Sequence, residues 1–133
     1  MKKILSAAFA FLLLAACQKG DTGFAGNEYR LEEAPDGAEI TISFDGTEKR
    51  FYGKSAVNRY FGSYEQEGNS LVFGAAGSTM MAGPENLMEA EQEYLQFLSG
   101  VKSFRLDGDT LILIDGGGKE LVFKKIGTVK TEE

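Results

Sequence analysis

One helix-period stretch stands between two runs of short alternating segments, and few architectures accommodate that arrangement. The stretch Ser78–Val101 (STMMAGPENLMEAEQEYLQFLSGV) predicts a helix over about residues 84–98. Gly83-Pro84 opens it, because a proline in the first helical turn lacks an N–H that would be unpaired there anyway. Ser99-Gly100 closes it, with the glycine suited to a left-handed C-terminal cap. Before the helix, Asn27–Glu32, Ile40–Phe44, Thr47–Tyr52, Arg59–Gln66 and Ser70–Phe73 read as strands. After it come Val101–Leu106, Thr110–Ile114 and Lys119–Lys125. Ile40, Ile42 and Phe44 alternate with Thr41 and Ser43, the period-two mark of a half-buried strand. Asp45-Gly46, Glu67-Gly68-Asn69, Asp107-Gly108-Asp109 and Asp115-Gly116-Gly117-Gly118 supply the tight turns. Seven or eight short strands with one inserted helix predict an antiparallel α+β fold. Curling into a barrel or half-barrel hides the sheet edges, with the helix over one end or face.

The chain begins Met1-Lys2-Lys3 and then runs apolar from Ile4 to Ala16, interrupted only by Ser6. Two cations, a short apolar core and small residues at its end read as a secretory signal peptide, residues 1–16. The run is shorter than the roughly 20 apolar residues that a spanning helix needs. Cys17, the only cysteine, follows Leu14-Ala15-Ala16 directly. This resembles the lipobox of bacterial lipoproteins, which implies that cleavage leaves Cys17 as a lipid-modified N-terminus carrying palmitate. Gln18 stands where an aspartate often marks inner-membrane retention, so the resemblance implies an anchor in the outer membrane. Gln18–Gly26 is polar and glycine-rich, and residues 17–26 are expected to form a flexible tether. Residues 27–126 then make one domain, and residues 127–133 a polar tail.

The leader takes two of the fourteen basic residues and no acidic one, leaving twelve against twenty and a net charge of −8 (12 − 20). An acidic chain without a basic run has little attraction for nucleic acid, which is not expected as a partner. Acyl chains must then hold it to the membrane. With Cys17 acylated no disulfide can form, so the domain depends on its core alone.

No histidine occurs, which removes Ser-His-Asp and Cys-His nucleophile systems and most zinc sites. Gly116-Gly117-Gly118-Lys119 lacks the spacing of a phosphate loop and has Glu120 where Ser or Thr would hold magnesium. Asp107, Asp109 and Asp115 lie in two separate turns and lack the closing glutamate of a calcium loop. No catalytic residue, metal or cofactor is therefore expected. Glu91 is the acidic residue whose position needs explaining. At about 100° per residue, Leu87, Met88, Tyr94, Leu95 and Leu98 form an apolar stripe, and Glu91 lies within it. A carboxylate there must be paired or hydrogen-bonded. Arg59 is the expected partner, in a structural pair between helix and sheet; the alternative is a polar spot in a ligand cavity. Of Met80 and Met81, one is expected to pack in the core. Tyr60, Phe61, Tyr64, Phe73, Phe97, Phe104 and Phe123 are read as mostly core.

Asn58-Arg59-Tyr60-Phe61-Gly62-Ser63-Tyr64 and Thr79-Met80-Met81-Ala82-Gly83-Pro84 resemble the META domain, the family of HslJ-type heat-shock lipoproteins. Glu89-x-Glu91 with Tyr94-Leu95-x-x-Leu98, then Ser99-Gly100-Val101, and Asp107-Gly108-Asp109-Thr110-Leu111 fit the same pattern. The family motif residues here are Asn58, Arg59, Tyr60, Thr79, Met81 and Pro84. Members often carry a cysteine just before the Asn-Arg pair and another near the helix proline; those positions here hold Val57 and Gly83. The resemblance implies an envelope protein of the stress response with no established enzymatic activity. The expected function is non-enzymatic binding in stress tolerance or surface interaction, with an envelope or host protein as partner. A small-ligand binder with a lipocalin-like barrel mouth, and an inhibitor of a secreted enzyme, are the alternatives.

Overall fold

The computed structural model describes residues 23–129. The expected leader, Cys17, most of the expected tether and the end of the expected tail lie outside them. The elements are β1 (Asn27–Leu31), β2 (Thr41–Asp45), β3 (Arg50–Lys54), β4 (Arg59–Glu67), β5 (Ser70–Phe73), β6 (Gly77–Ser78), α1 (Glu85–Ser99), β7 (Val101–Asp107), β8 (Thr110–Asp115) and β9 (Glu120–Thr128). The sheet runs β3-β2-β1-β9-β8-β7-β5-β4-β6, and β3 also pairs with β4, which closes eight strands into an antiparallel barrel. The first half of β4 lies between β3 and β6, with Tyr52 opposite Phe61 and Phe61 opposite Gly77. Its second half pairs with β5. The expected α+β barrel with one inserted helix is thus the observed one.

Alternation along each strand sends one set of side chains inward. That set includes Tyr29, Ile42, Phe44, Phe51, Tyr60, Tyr64, Leu71, Phe73, Leu111, Leu113 and Phe123, all buried. The rings fill the lumen edge to face: Phe44 and Tyr64 are 5.5 Å apart at 87°, and Phe51 and Phe73 are 4.8 Å apart at 78°. Each fully buried large side chain contributes about 1.5–3 kcal/mol of transfer free energy. Gly62 makes room for this: a Cβ there would lie 2.7 Å from the Phe51 ring opposite it. The barrel and its core are built wholly within residues 24–128, so this segment contains what it needs to fold.

The two mouths are sealed differently. At one, α1 presses Ala90, Glu91, Tyr94, Phe97 and Leu98 inward. At the other, Phe24 is 1% exposed, with its ring 4.4 Å from Phe44 and 4.9 Å from Phe104. That corrects the expected tether over residues 17–26, which gives way to the barrel by Phe24. A glycine-rich flank hid an aromatic that the open mouth buries. The tail also begins later than expected, since Gly127 and Thr128 still pair with Glu28 and Asn27.

The helix has its own corrections. Pro84 is the N-cap, one place before the first turn, and its carbonyl accepts from the Leu87 and Met88 N–H groups. Gly100 has φ −105°, so the helix ends without a left-handed residue. The short strand β6 pairs with β4 because Gly77 accommodates the Phe61 ring at 2.7 Å from where its Cβ would be.

Candidate functional site

The connection Ser55–Asn58 between β3 and β4 folds under α1. Ala56 takes φ +91°, an unusual value for a residue with a side chain. The turn aims two successive backbone N–H groups at Glu91, in the manner of an anion-binding nest. The Val57 and Asn58 N–H groups donate to Glu91 Oε1 at 3.0 and 2.7 Å. The Asn58 side-chain amide donates to Oε2 at 2.7 Å. The Ser55 hydroxyl lies 3.0 Å from both Oε1 and the Asn58 carbonyl and shares its single proton between them. Glu91 is 6% exposed.

Asn58 carries the network outward. Its Nδ2 also donates to the Met81 carbonyl at 3.1 Å, while Oδ1 accepts from the Thr79 hydroxyl at 2.8 Å and the Met81 N–H at 2.6 Å. One amide therefore clamps the 79–81 segment to the helix by using both its donors and its acceptor twice. Burial pushes the Glu91 carboxyl up, but the Asn58 and Ser55 side chains and the two backbone N–H groups outweigh it and hold the pKa below the ordinary value. With both oxygens engaged by donors, this carboxylate is an anchor and is poorly suited to take a proton from a substrate.

Beside it, Tyr60 and Tyr94 meet hydroxyl to hydroxyl at 2.6 Å, and Tyr60 Oη donates to the Thr41 carbonyl at 2.6 Å. Tyr94 must then donate to Tyr60, because Tyr60 has one proton to give. Burial is the main cause raising both phenols above their usual range. They stay neutral and link α1, β4 and β2.

On the outer wall of the barrel lies an open cleft of about 540 Å³, with Tyr52, Lys54, Val57, Arg59 and Met81 among its lining. Thr41 and Ser43 form its floor and are only 8% and 4% exposed. Tyr52 and Met81 are exposed apolar side chains in its lining, at 38% and 59%, and Phe61, opposite Tyr52 on β4, is 45% exposed; Met80, next to Met81 in the chain, is 91% exposed.

Residues 22–127 match the META domain family. The chain belongs to that family. No curated protein matches it significantly. Solved structures share the META domain's fold. An NMR structure of a protein from Burkholderia xenovorans is 20% identical, with a TM-score of 0.65 over 86% of this chain and 99% of that one. A second NMR structure is 22% identical, with a TM-score of 0.59 over 76% and 90%. A crystal structure of a DUF4847 family protein from Bacteroides vulgatus is 13% identical, with a TM-score of 0.57 over 81% and 97%. At such identities the likeness is one of fold.

Most of the META motif residues converge here: Asn58, Thr79 and Met81 share one network, and Tyr60 lies against Tyr94 at its side. Pro84 starts the helix that delivers Glu91. Arg59 does not pair with Glu91, which corrects the expected ion pair. Its side chain is exposed on the outer face of β4, and the only ion pairs among the described residues are Arg30–Glu39 and Arg105–Glu120. Period-two alternation sends Arg59 to the face opposite Tyr60, whereas Asn58 precedes the strand and turns inward. Asn58 and Ser55 are the partners instead of a cation, because neutral N–H and O–H donors suffice to hold the carboxylate. Neither Met80 nor Met81 packs in the core, since the backbone of this segment is what the domain holds. Phe61, read with the core aromatics, faces outward. Val57 and Gly83 are in contact: a Cβ at Gly83 would lie 3.7 Å from Val57 Cβ, a separation typical of a disulfide.

Proposed function

We propose that this META domain is the binding module of an envelope lipoprotein, tethered through acylated Cys17 to the outer membrane and serving stress tolerance without catalysis. The leader and lipobox support the anchor, and family membership is consistent with the compartment. The observation that carries the binding reading is the distribution of aromatic side chains. The barrel lumen is packed with rings and both mouths are plugged. That weighs against a lipocalin-like ligand inside. Outside, Tyr52 and Phe61 stand directly opposite one another and exposed, and the exposed Met81 lines the same cleft as Tyr52. Apolar surface gathered this way marks a contact face.

The test uses the full chain in cells, with a photo-crosslinking amino acid at Phe61 or at Val72. Val72 is an equally exposed apolar position, at 45%, on β5. Adducts at 61 and none at 72 are expected. Equal labelling at both positions would remove the contact face. Palmitate incorporation should vanish in Cys17→Ala; label persisting there would remove the anchor.

A further inference from the structure

The cleft outside β2 and β3 combines three features that ordinary solvated surface does not need. First, Lys54 and Arg59 are directly opposite each other in the β3–β4 ladder. Like charges at opposed positions destabilise a sheet, and neither residue has an ion-pair partner among the described residues. In a chain of formal net charge −6, two cations left facing one another are not a product of composition. Second, the next cross-strand pair on the same face is Tyr52 and Phe61, so two rings flank two cations. Third, the floor holds a polar group without a partner. Ser43 is 4% exposed, and its hydroxyl has no hydrogen-bond partner among the described residues. Thr41 beside it accepts the Lys54 N–H at 3.1 Å, which leaves its own proton free to donate. Buried hydroxyls are ordinarily satisfied by protein or by a bound molecule.

We propose that this cleft binds a small organic anion, its carboxylate, phosphate or sulfonate held by Lys54 and Arg59 and its apolar body laid over Tyr52 and Met81. Ser43 and Thr41 hydrogen-bond the ligand from below. Arg59 offers a planar fork to two oxygens and Lys54 a point charge, a combination suited to tetrahedral or planar oxyanions. Glu28 lines the opposite wall and faces Ser43 across β1–β2. It repels a negative group at that end, so the ligand enters in one orientation. The cleft's volume, about 540 Å³, lies within the usual range for small-molecule sites. This rests on reading the Tyr52–Phe61 face as the contact face, and it names the chemistry that the face recognises.

The experiment titrates the fragment from Gln18 onward with 8-anilinonaphthalene-1-sulfonate, an aromatic sulfonate whose fluorescence reports apolar contact. Saturable binding at one site is expected, weakening with added salt. Lys54→Gln and Arg59→Gln should each raise its dissociation constant about tenfold, the usual effect of losing one charge-assisted contact. Ser43→Ala should weaken it by a smaller factor. Thermal melts of each variant, unchanged from the parent, show that the barrel is intact. Benzoate and octanoate should displace the dye while benzyl alcohol does not. Stronger displacement by octanoate assigns the anion to an acyl source, stronger displacement by benzoate to an aromatic one. Equal affinity in both charge variants, or displacement by benzyl alcohol as effective as by benzoate, would overturn the proposal. If crosslinks form at Phe61 while the dye ignores both cations, the contact face stands and only its anion is lost.

Discussion

Asn58 and Arg59 are neighbours in sequence and face opposite environments. Asn58 turns inward, where its amide and the adjoining N–H groups leave no atom of Glu91 unengaged. Arg59 turns outward beside Lys54, in a cleft whose floor holds the buried Ser43 hydroxyl, which has no hydrogen-bond partner among the described residues. The first cluster is closed, because every donor already has its acceptor and a ligand could enter only by breaking a bond of equal worth. The second is open, because its charges and its floor await partners. A buried charge in a small domain is therefore no sign of a site by itself; an incomplete set of partners is the more useful sign.

The largest test of this contrast is to empty the closed cluster. Glu91→Ala removes the acceptor of four donors; the Ser55 hydroxyl can still turn to the Asn58 carbonyl, which leaves three buried or half-buried donors facing a void, at about 1–3 kcal/mol for each group not reached by water. A loss of about 3–5 kcal/mol is expected, lowering Tm by on the order of 10–20 °C for a domain of this size. Glu91→Gln keeps the shape but turns an NH₂ toward an Asn58 or backbone donor, so it should recover only part of the loss. A calorimetric Tm within about 2 °C of the parent for Glu91→Ala would show that the cluster is not the anchor described.

A second test replaces hydrogen bonding with a covalent bond across the same two segments. Val57 adjoins Asn58, and Gly83 lies two residues past Met81, so the pair joins the segments that the Asn58 amide already clamps. With 3.7 Å between Val57 Cβ and a Cβ built at Gly83, Val57→Cys with Gly83→Cys should oxidise spontaneously. The closed loop should stabilise by about 3.5 kcal/mol in the chain-entropy account. The check is the difference in urea midpoint with and without reductant. No bridge on mass analysis would mean that the two positions are farther apart than described.

How much of this was legible in the sequence follows from which rule governed each residue. The strands and turns were readable because alternation and Asp-Gly or Asn-bearing turns are local signals. The helix was placed to within one residue at each end, and Glu91 was singled out correctly as a buried carboxylate. Its partners were not, since a nest depends on Ala56 adopting φ +91°, which no residue type announces. Phe24 escaped because burial at a barrel mouth is set by closure of the whole sheet. Phe61 was miscounted as core although its strand alternates correctly. Tyr60 and Tyr64 are in phase with each other and Phe61 is out of phase with both, so a stricter use of period two would have turned it outward. The Lys54–Arg59 juxtaposition required the β3–β4 register, and the strand expected at Thr47–Tyr52 stops short of Lys54.

Acid should separate the clusters more gently. The folded pKa of Glu91 lies below its unfolded value. The stability it supplies is therefore present above the unfolded carboxyl pKa of about 4.3 and is lost as pH falls through the folded one. The stability gap between parent and Glu91→Gln should narrow as pH is lowered from 6 through this window, and a gap constant down to the folded pKa would show that no proton is taken up there. Dye binding at the outer cleft, which rests on the side chains of Lys54 and Arg59, should persist wherever the barrel does.

The smallest stability effect is expected at Arg59, the cation expected to neutralise Glu91. If Arg59 neutralised Glu91, Arg59→Met would strand a buried charge and cost about 3–5 kcal/mol. With Arg59 exposed and opposite Lys54, its removal should shift stability by less than about 0.5 kcal/mol, the usual range for a surface position. The sign should be slightly favourable, because one of two opposed cations is gone. The same variant should weaken the aromatic sulfonate as Arg59→Gln does, so one substitution reads both clusters at once. A Tm lowered as far as in Glu91→Ala would restore the ion pair and make the two clusters one.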